Sequence, residues 1–125
     1  MAGRLLWKLR ARGAVESTPC LHDGVLYFGS TDHRLYAVDA ATGAVLWRRL
    51  LGGDIVRESP ILANGVLYQE SQDGSVYALD PADGTILWSY KTGLIVGSSP
   101  VVLDGTLYVA SFDKNLYAFR LPSPS

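Results

Sequence analysis

The residues able to carry chemistry are few in this chain and do not cluster. His22 and His33 are its only histidines and Cys20 is its only cysteine. A transition-metal centre needs three or four nitrogen and sulfur donors at short, defined separations, and neither histidine has a second His or Cys at such a spacing. Both lie in or beside turn sequences and read as surface residues. One cysteine excludes an internal disulfide and leaves the redox compartment open. Hard-cation chemistry would fall to aspartates. Asp32, Asp73 and Asp113 recur one per turn, the distribution that turn formation alone produces. Ser17, Ser59, Ser98, Ser99 and Ser111 follow the same recurrence, and none stands in a Gly-x-Ser-x-Gly elbow. No glycine-rich phosphate loop leads into a helical pattern. The expectation is that no residue here is catalytic, cofactor-binding or metal-ligating.

What positions all these residues is an internal repeat. The stretch 36–47, YAVDAATGAVLW, returns almost letter for letter as 77–88, YALDPADGTILW. Trp7, Trp47 and Trp88 are 40 and 41 residues apart, and Pro19, Pro60 and Pro100 are 41 and 40 apart. Tyr27, Tyr68 and Tyr108, and Tyr36, Tyr77 and Tyr117, keep the same step. A period of roughly 40 residues built from several short strands indicates propeller blades, the architecture of WD40-like repeats, because helical repeats of that length need long stretches of 3.6-residue periodicity. None is present.

Read along the chain, 3–9 (GRLLWKL) matches only the second half of the repeat and predicts an outer strand. Blade 1 spans 15–50, blade 2 spans 55–91 and blade 3 spans 95–119, with a tail at 120–125. The first strands are expected at 15–21, 55–62 and 95–103. Asp23-Gly24, Asn64-Gly65 and Asp104-Gly105, each between apolar runs, are strong hairpin signals. The fold class is therefore all-β: four-stranded antiparallel meander blades of a β-propeller, about three per chain, in one propeller segment over 1–125. Pro19, Pro60 and Pro100 fall inside the expected first strands, which fits an innermost edge, where a missing N–H costs no ladder bond. The middle strands are apolar on both faces, as sheets packed between two neighbours must be.

Composition agrees: 48% hydrophobic with 18% charged residues is globular, and a formal net charge of −1 gives no electrostatic case for nucleic acid or anionic lipid. Arg48-Arg49 reads as a solvated outer strand. No signal peptide is visible, since no apolar stretch of the needed length follows the cations of 1–12. The expected location is cytoplasmic by default, or periplasmic if a leader was removed.

The pattern Ala37, Asp39, Gly43, Trp47 and its copy Ala78, Asp80, Gly84, Trp88, together with the SSP, DG and LYV elements of 98–111, resembles the PQQ-like repeats of quinoprotein-type β-propellers. The resemblance covers nearly the whole chain. It implies that each Trp packs between adjacent blades against the Ala and the Gly-containing turn, a docking role that Trp47 and Trp88 inherit and Trp7 partly matches. The family includes dehydrogenases holding pyrroloquinoline quinone and calcium at the propeller centre. It also includes non-catalytic members such as the outer-membrane assembly lipoprotein, sensors and scaffolds. The dehydrogenases carry an adjacent cysteine pair on the cofactor, which Cys20 alone does not supply.

The expected function is a non-catalytic scaffold or ligand-sensing module without a cofactor, the alternative being a fragment of a quinone-dependent dehydrogenase. A small-ligand sensor with its ligand in a central channel lined by the Pro-bearing strands is a further reading. Glu16, Arg57, Glu58 and Gln69 break the repeat, so a binding surface would be sought there first; otherwise they face solvent at a blade edge. The tail 121–125, with two alternating prolines, is expected to be extended and mobile. Three blades fall short of the roughly four to eight of a ring, so the expected partners are further blades or a second copy, 3–9 pairing with 116–119 of a neighbour and two copies making a six-bladed ring.

Overall fold

The computed structural model describes residues 3–55, 59–93 and 100–121, and every regular element among them is a strand. Blade 1 is a four-stranded meander of β1 (Cys20–His22), β2 (Val25–Gly29), β3 (Arg34–Asp39) and β4 (Val45–Leu50). Blade 2 repeats it with β5 (Ile61–Ala63), β6 (Val66–Glu70), β7 (Ser75–Leu79) and β8 (Ile86–Lys91). Blade 3 has β9 (Val101–Leu103), β10 (Thr106–Ala110) and β11 (Leu116–Arg120), with no fourth strand among the described residues. All pairings are antiparallel.

The first hairpin of each blade turns on two residues with positive φ, as a type I′ turn requires: Asp23 and Gly24 (49° and 75°), Asn64 and Gly65 (52° and 76°), Asp104 and Gly105 (51° and 72°). Ala37 faces Trp47 and Ala78 faces Trp88. The register then slips, so that Val38 faces Val45 and Leu79 faces Ile86. That bulge turns the outer strand as it enters the Asp-to-Gly loop.

Three expectations need correction. Residues 3–9 form no strand, because a strand exists only against a partner and the described residues offer that stretch none. The innermost strands are only three residues long, and Pro19, Pro60 and Pro100 stand immediately before them rather than inside. Proline cannot donate to the ladder, so pairing starts one residue later. Leu121 is buried, and its N–H donates to the Gly105 carbonyl at 2.8 Å, as Ala40 does to Gly24 in blade 1. This end of the expected mobile tail is therefore anchored. The rest of the tail lies outside the described residues, as do Arg57, Glu58, Ser98 and Ser99.

Side chains alternate between the two faces of each sheet, and both faces of blades 1 and 2 are apolar. Tyr27, Leu35 and Ala37 of blade 1 meet Leu67, Tyr77 and Leu79 of blade 2 over Leu51 and Ile55. Tyr68, Val76 and Ala78 of blade 2 meet Leu107, Val109 and Leu121 beyond. The opposite face of blade 1 (Phe28, Tyr36, Val38) is covered, among the described residues, by the N-terminal Trp7, Leu9 and Ala11. Among the described residues the last face has no cover: Val101, Leu103, Ala110, Leu116 and Ala118 of blade 3 are exposed, and they hold the positions of Cys20, His22, Gly29, Leu35 and Ala37 in blade 1.

Candidate functional site

The junctions between blades gather the chain's singular residues. Alternation along β4 points Val45, Trp47 and Arg49 inward and leaves Leu46, Arg48 and Leu50 exposed. Trp47 Nε1–H donates to the Pro81 carbonyl of blade 2 at 2.8 Å, and its ring lies on Gly84, where a Cβ would fall 2.6 Å from Cε3. Gly84 also needs its glycine for a φ of 77°. Arg49 Nε donates to the Gly84 carbonyl at 2.7 Å, so of the two arginines read as solvated, only Arg48 is. The cause is the same alternation that turns Trp47 inward.

Trp7 repeats the arrangement on blade 1. It donates to the Ala40 carbonyl at 3.0 Å and lies against Gly43, where a Cβ would come within 2.5 Å of its ring. Asp39 and Asp80 fold the receiving loops: Asp39 Oδ1 accepts Ala41 N at 2.8 Å and Asp80 Oδ1 accepts Ala82 N at 2.9 Å. Ala37 and Ala78 are fully buried. Among the described residues Trp88 meets no such loop, and Arg120 holds the Asp position. Its ring lies 6.1 Å from Tyr68 and 5.7 Å from Phe119 between centroids.

A second contact at the junctions escaped the sequence reading. Asp32, Asp73 and Asp113 do form turns, each accepting through Oδ1 the N–H two residues on: Arg34 at 3.0 Å, Ser75 at 2.9 Å and Asn115 at 2.9 Å. Each also accepts a tyrosine hydroxyl through Oδ2, from Tyr36 at 2.6 Å, Tyr77 at 2.8 Å and Tyr117. Onto this pair comes the chain entering the blade. Arg12 N donates to Asp32 Oδ2 at 3.3 Å, Gly52 N to Tyr77 Oη at 3.0 Å and Gly93 N to Asp113 Oδ2 at 3.0 Å. At Gly52 a Cβ would sit 1.8 Å from Asp73 Oδ2 and 2.6 Å from Tyr77 Oη, so any side chain there would displace this pair. The signal was visible as Asp and Tyr four residues apart in three copies, with Gly52 and Gly93 one repeat apart.

These bonds shape the acidities. The Tyr117 hydroxyl, helped by the N–H groups of Asn115 and Gly93, lowers the Asp113 carboxyl to about 2. Burial, then the bond to an aspartate, raises Tyr36 and Tyr77. Each Asp is thus engaged within its own blade. Among the described residues no three His, Cys, Asp or Glu converge in a way that could hold a metal. The donor set of a calcium and quinone centre is not assembled by these side chains.

His22 and His33 are exposed, as expected, and each meets a carboxylate: Asp23 at 3.2 Å and Asp54 at 2.6 Å. Glu16 is exposed too. Gln69 is not at a solvent edge but fully buried in β6, its Nε2 donating to the Glu70 carbonyl at 2.8 Å. Blade 2 is covered on both sides, which is why. Glu70, equally buried, replaces Gly29 of blade 1 and Ala110 of blade 3. An open, mostly apolar cleft of about 360 Å³ lies between blades 1 and 2, lined by His22, Tyr27, Trp47, Leu62 and Pro81 among others.

Comparison with solved structures finds the same fold elsewhere. BamB from Moraxella catarrhalis superposes with a TM-score of 0.81 at 21% identity, over 95% of this chain and 38% of that one. A europium-containing methanol dehydrogenase gives 0.80 at 20% identity, over 98% and 26%. The computationally designed Ika8 protein gives 0.71 at 14% identity, over 82% and 32%. At these identities the likeness is one of fold. In sequence, a quinohemoprotein alcohol dehydrogenase (ADH IIB) from Pseudomonas putida is 53% identical over 34 residues, 27% of this chain and 5% of that protein. The chain thus spans well under half the length of each of these relatives. The model of the family described as outer membrane protein assembly factor BamB matches residues 1–123. The chain therefore belongs to that family of PQQ-like β-propellers.

Proposed function

We propose that this chain is a non-catalytic interaction module, a piece of a PQQ-like propeller whose task is to present and join surfaces. The observation that carries this reading is the uncovered face of blade 3. Val101 and Leu116 are exposed at positions whose counterparts, Cys20 and Leu35 in blade 1 and Ile61 and Val76 in blade 2, pack on a neighbour. Large apolar side chains exposed together on one sheet face make an association surface. In this reading Trp7, Trp47 and Trp88, with Ala37, Asp39, Gly43, Ala78, Asp80 and Gly84, serve blade docking, and the missing cover comes from blades of the same kind.

The 34-residue match to a quinohemoprotein dehydrogenase favours a second reading, in which the segment belongs to a quinone-dependent enzyme whose ligands lie in other blades. Titration calorimetry of the assembled propeller that contains this segment, with pyrroloquinoline quinone and calcium, separates the two. The scaffold reading expects no saturable heat at micromolar protein. Tight, stoichiometric binding would overturn it.

A further inference from the structure

Blade 3 lacks an outer strand among the described residues, so β11 presents an unpaired ladder edge beside its uncovered face. The sequence that would complete it is already present in the chain. Residues 3–9, GRLLWKL, match the outer-strand segments GAVLWRR and GTILWSY, yet they pair with nothing, and Leu5 and Leu6 are 75% and 73% exposed. Only their inward side is engaged. Trp7 reaches Ala40 with the geometry by which Trp47 reaches Pro81, and Leu9 and Ala11 lie on Phe28, Tyr36 and Val38. This segment therefore occupies the place of the outer strand of a preceding blade.

The two halves of the same missing ladder lie on opposite flanks of one molecule. Residues 3–11 flank blade 1, β11 closes the far side of blade 3, and blade 2 stands between them. Among the described residues they do not meet. We infer that the occupant of the β11 edge is the segment 5–10 of a second copy, antiparallel to 115–119. The register follows from the two outer strands already paired. Arg34 faces Leu50 and Ser75 faces Lys91, which places Asn115 opposite Arg10 of the second copy. Ala37 faces Trp47 and Ala78 faces Trp88, which places Ala118 opposite Trp7. After the bulge, Val38 on Val45 and Leu79 on Ile86 place Phe119 opposite Leu5. Trp7 becomes the side chain that joins copies: its strand completes blade 3 of one molecule while its indole stays on blade 1 of its own. The exposed Val101, Leu116 and Ala118 are then covered by blade 1 of the arriving copy.

This inference rests on the interaction-module reading, and its test is separate from the quinone titration. In a Cys20→Ala background, Arg10→Cys with Asn115→Cys sets the cysteines opposite one another between copies, both at exposed positions. Lys8→Cys with Asn115→Cys is the out-of-register control. The in-register pair is expected to form a covalent dimer or larger ring under mild oxidation at least tenfold faster than the control. Unmodified chain is expected to sediment as a multiple of 13.5 kDa at micromolar concentration. A folded monomer by sedimentation, with no excess of in-register cross-link, would overturn the strand exchange while leaving the module reading standing. Self-association with equal cross-linking in both variants would overturn it too, because the copies would then meet by another surface.

Discussion

Gly65 and Gly84 share a left-handed backbone, with φ of 76° and 77°, but only Gly84 faces an indole. A Cβ at Gly65 meets nothing within 4 Å, whereas one at Gly84 meets Trp47 at 2.6 Å. The pair separates the cost of a strained conformation from the cost of losing the dock. Gly65→Ala is expected to destabilise by about 1–2 kcal/mol, the penalty for a side chain in that region. Gly84→Ala should lose the same plus about 1–3 kcal/mol of overpacking against the ring. Urea denaturation of both variants measures the difference; equal losses would mean that the indole on Gly84 contributes nothing to stability.

The turn joining the second and third strands of each blade ties a carboxylate, a tyrosine and the incoming linker together, and protons can untie it. Asp113 is held at about 2, below the ordinary carboxylate value. A depressed acid contributes stability that is complete above its unfolded-state pKa and is lost as pH falls through the folded one. The contribution of Asp113 should therefore fade between about pH 4 and pH 2. Thermal melts of the chain and of Asp113→Asn are expected to differ at pH 5 and to converge toward pH 2. A gap that does not shrink would show that the carboxylate charge is not what the linker reads. Tyr77, raised chiefly by burial, carries the opposite sign: its share is present in neutral solution and is lost as pH rises through its elevated value.

Much of this element was legible in advance, because turn chemistry is local: Asp23-Gly24 and its two counterparts announce their hairpins by residue type alone. The linker contact was not, since Gly52 and Tyr77 are 25 residues apart and only the folded junction brings them together. The same limit hid the burial of Gln69. Its side chain reads as polar, and the neighbours that cover it belong to other strands. The strand predicted at 3–9 failed for a related reason, since its sequence is right but a ladder needs two strands.

Across the whole molecule, cover decides local stability. Every residue of β7 is buried, whereas β11 alternates between exposed and half-buried. Openings that expose little new surface cost little, so protection should follow this gradient. Amide exchange is expected to be slowest in 67–79 and at least tenfold faster in 116–120, with blade 1 between them; uniform protection would point to a single cooperative unit with no frayed flank. The carbonyls that receive Trp7 and Trp47 belong to the main chain of Ala40 and Pro81, so the acceptor is indifferent to which residue carries it. In genetic terms, each repeat is an interchangeable cassette. Unequal crossing-over that adds or removes one unit of 40 or 41 codons rebuilds an indole-to-carbonyl junction without a compensating mutation, so blade number can drift faster than blade sequence.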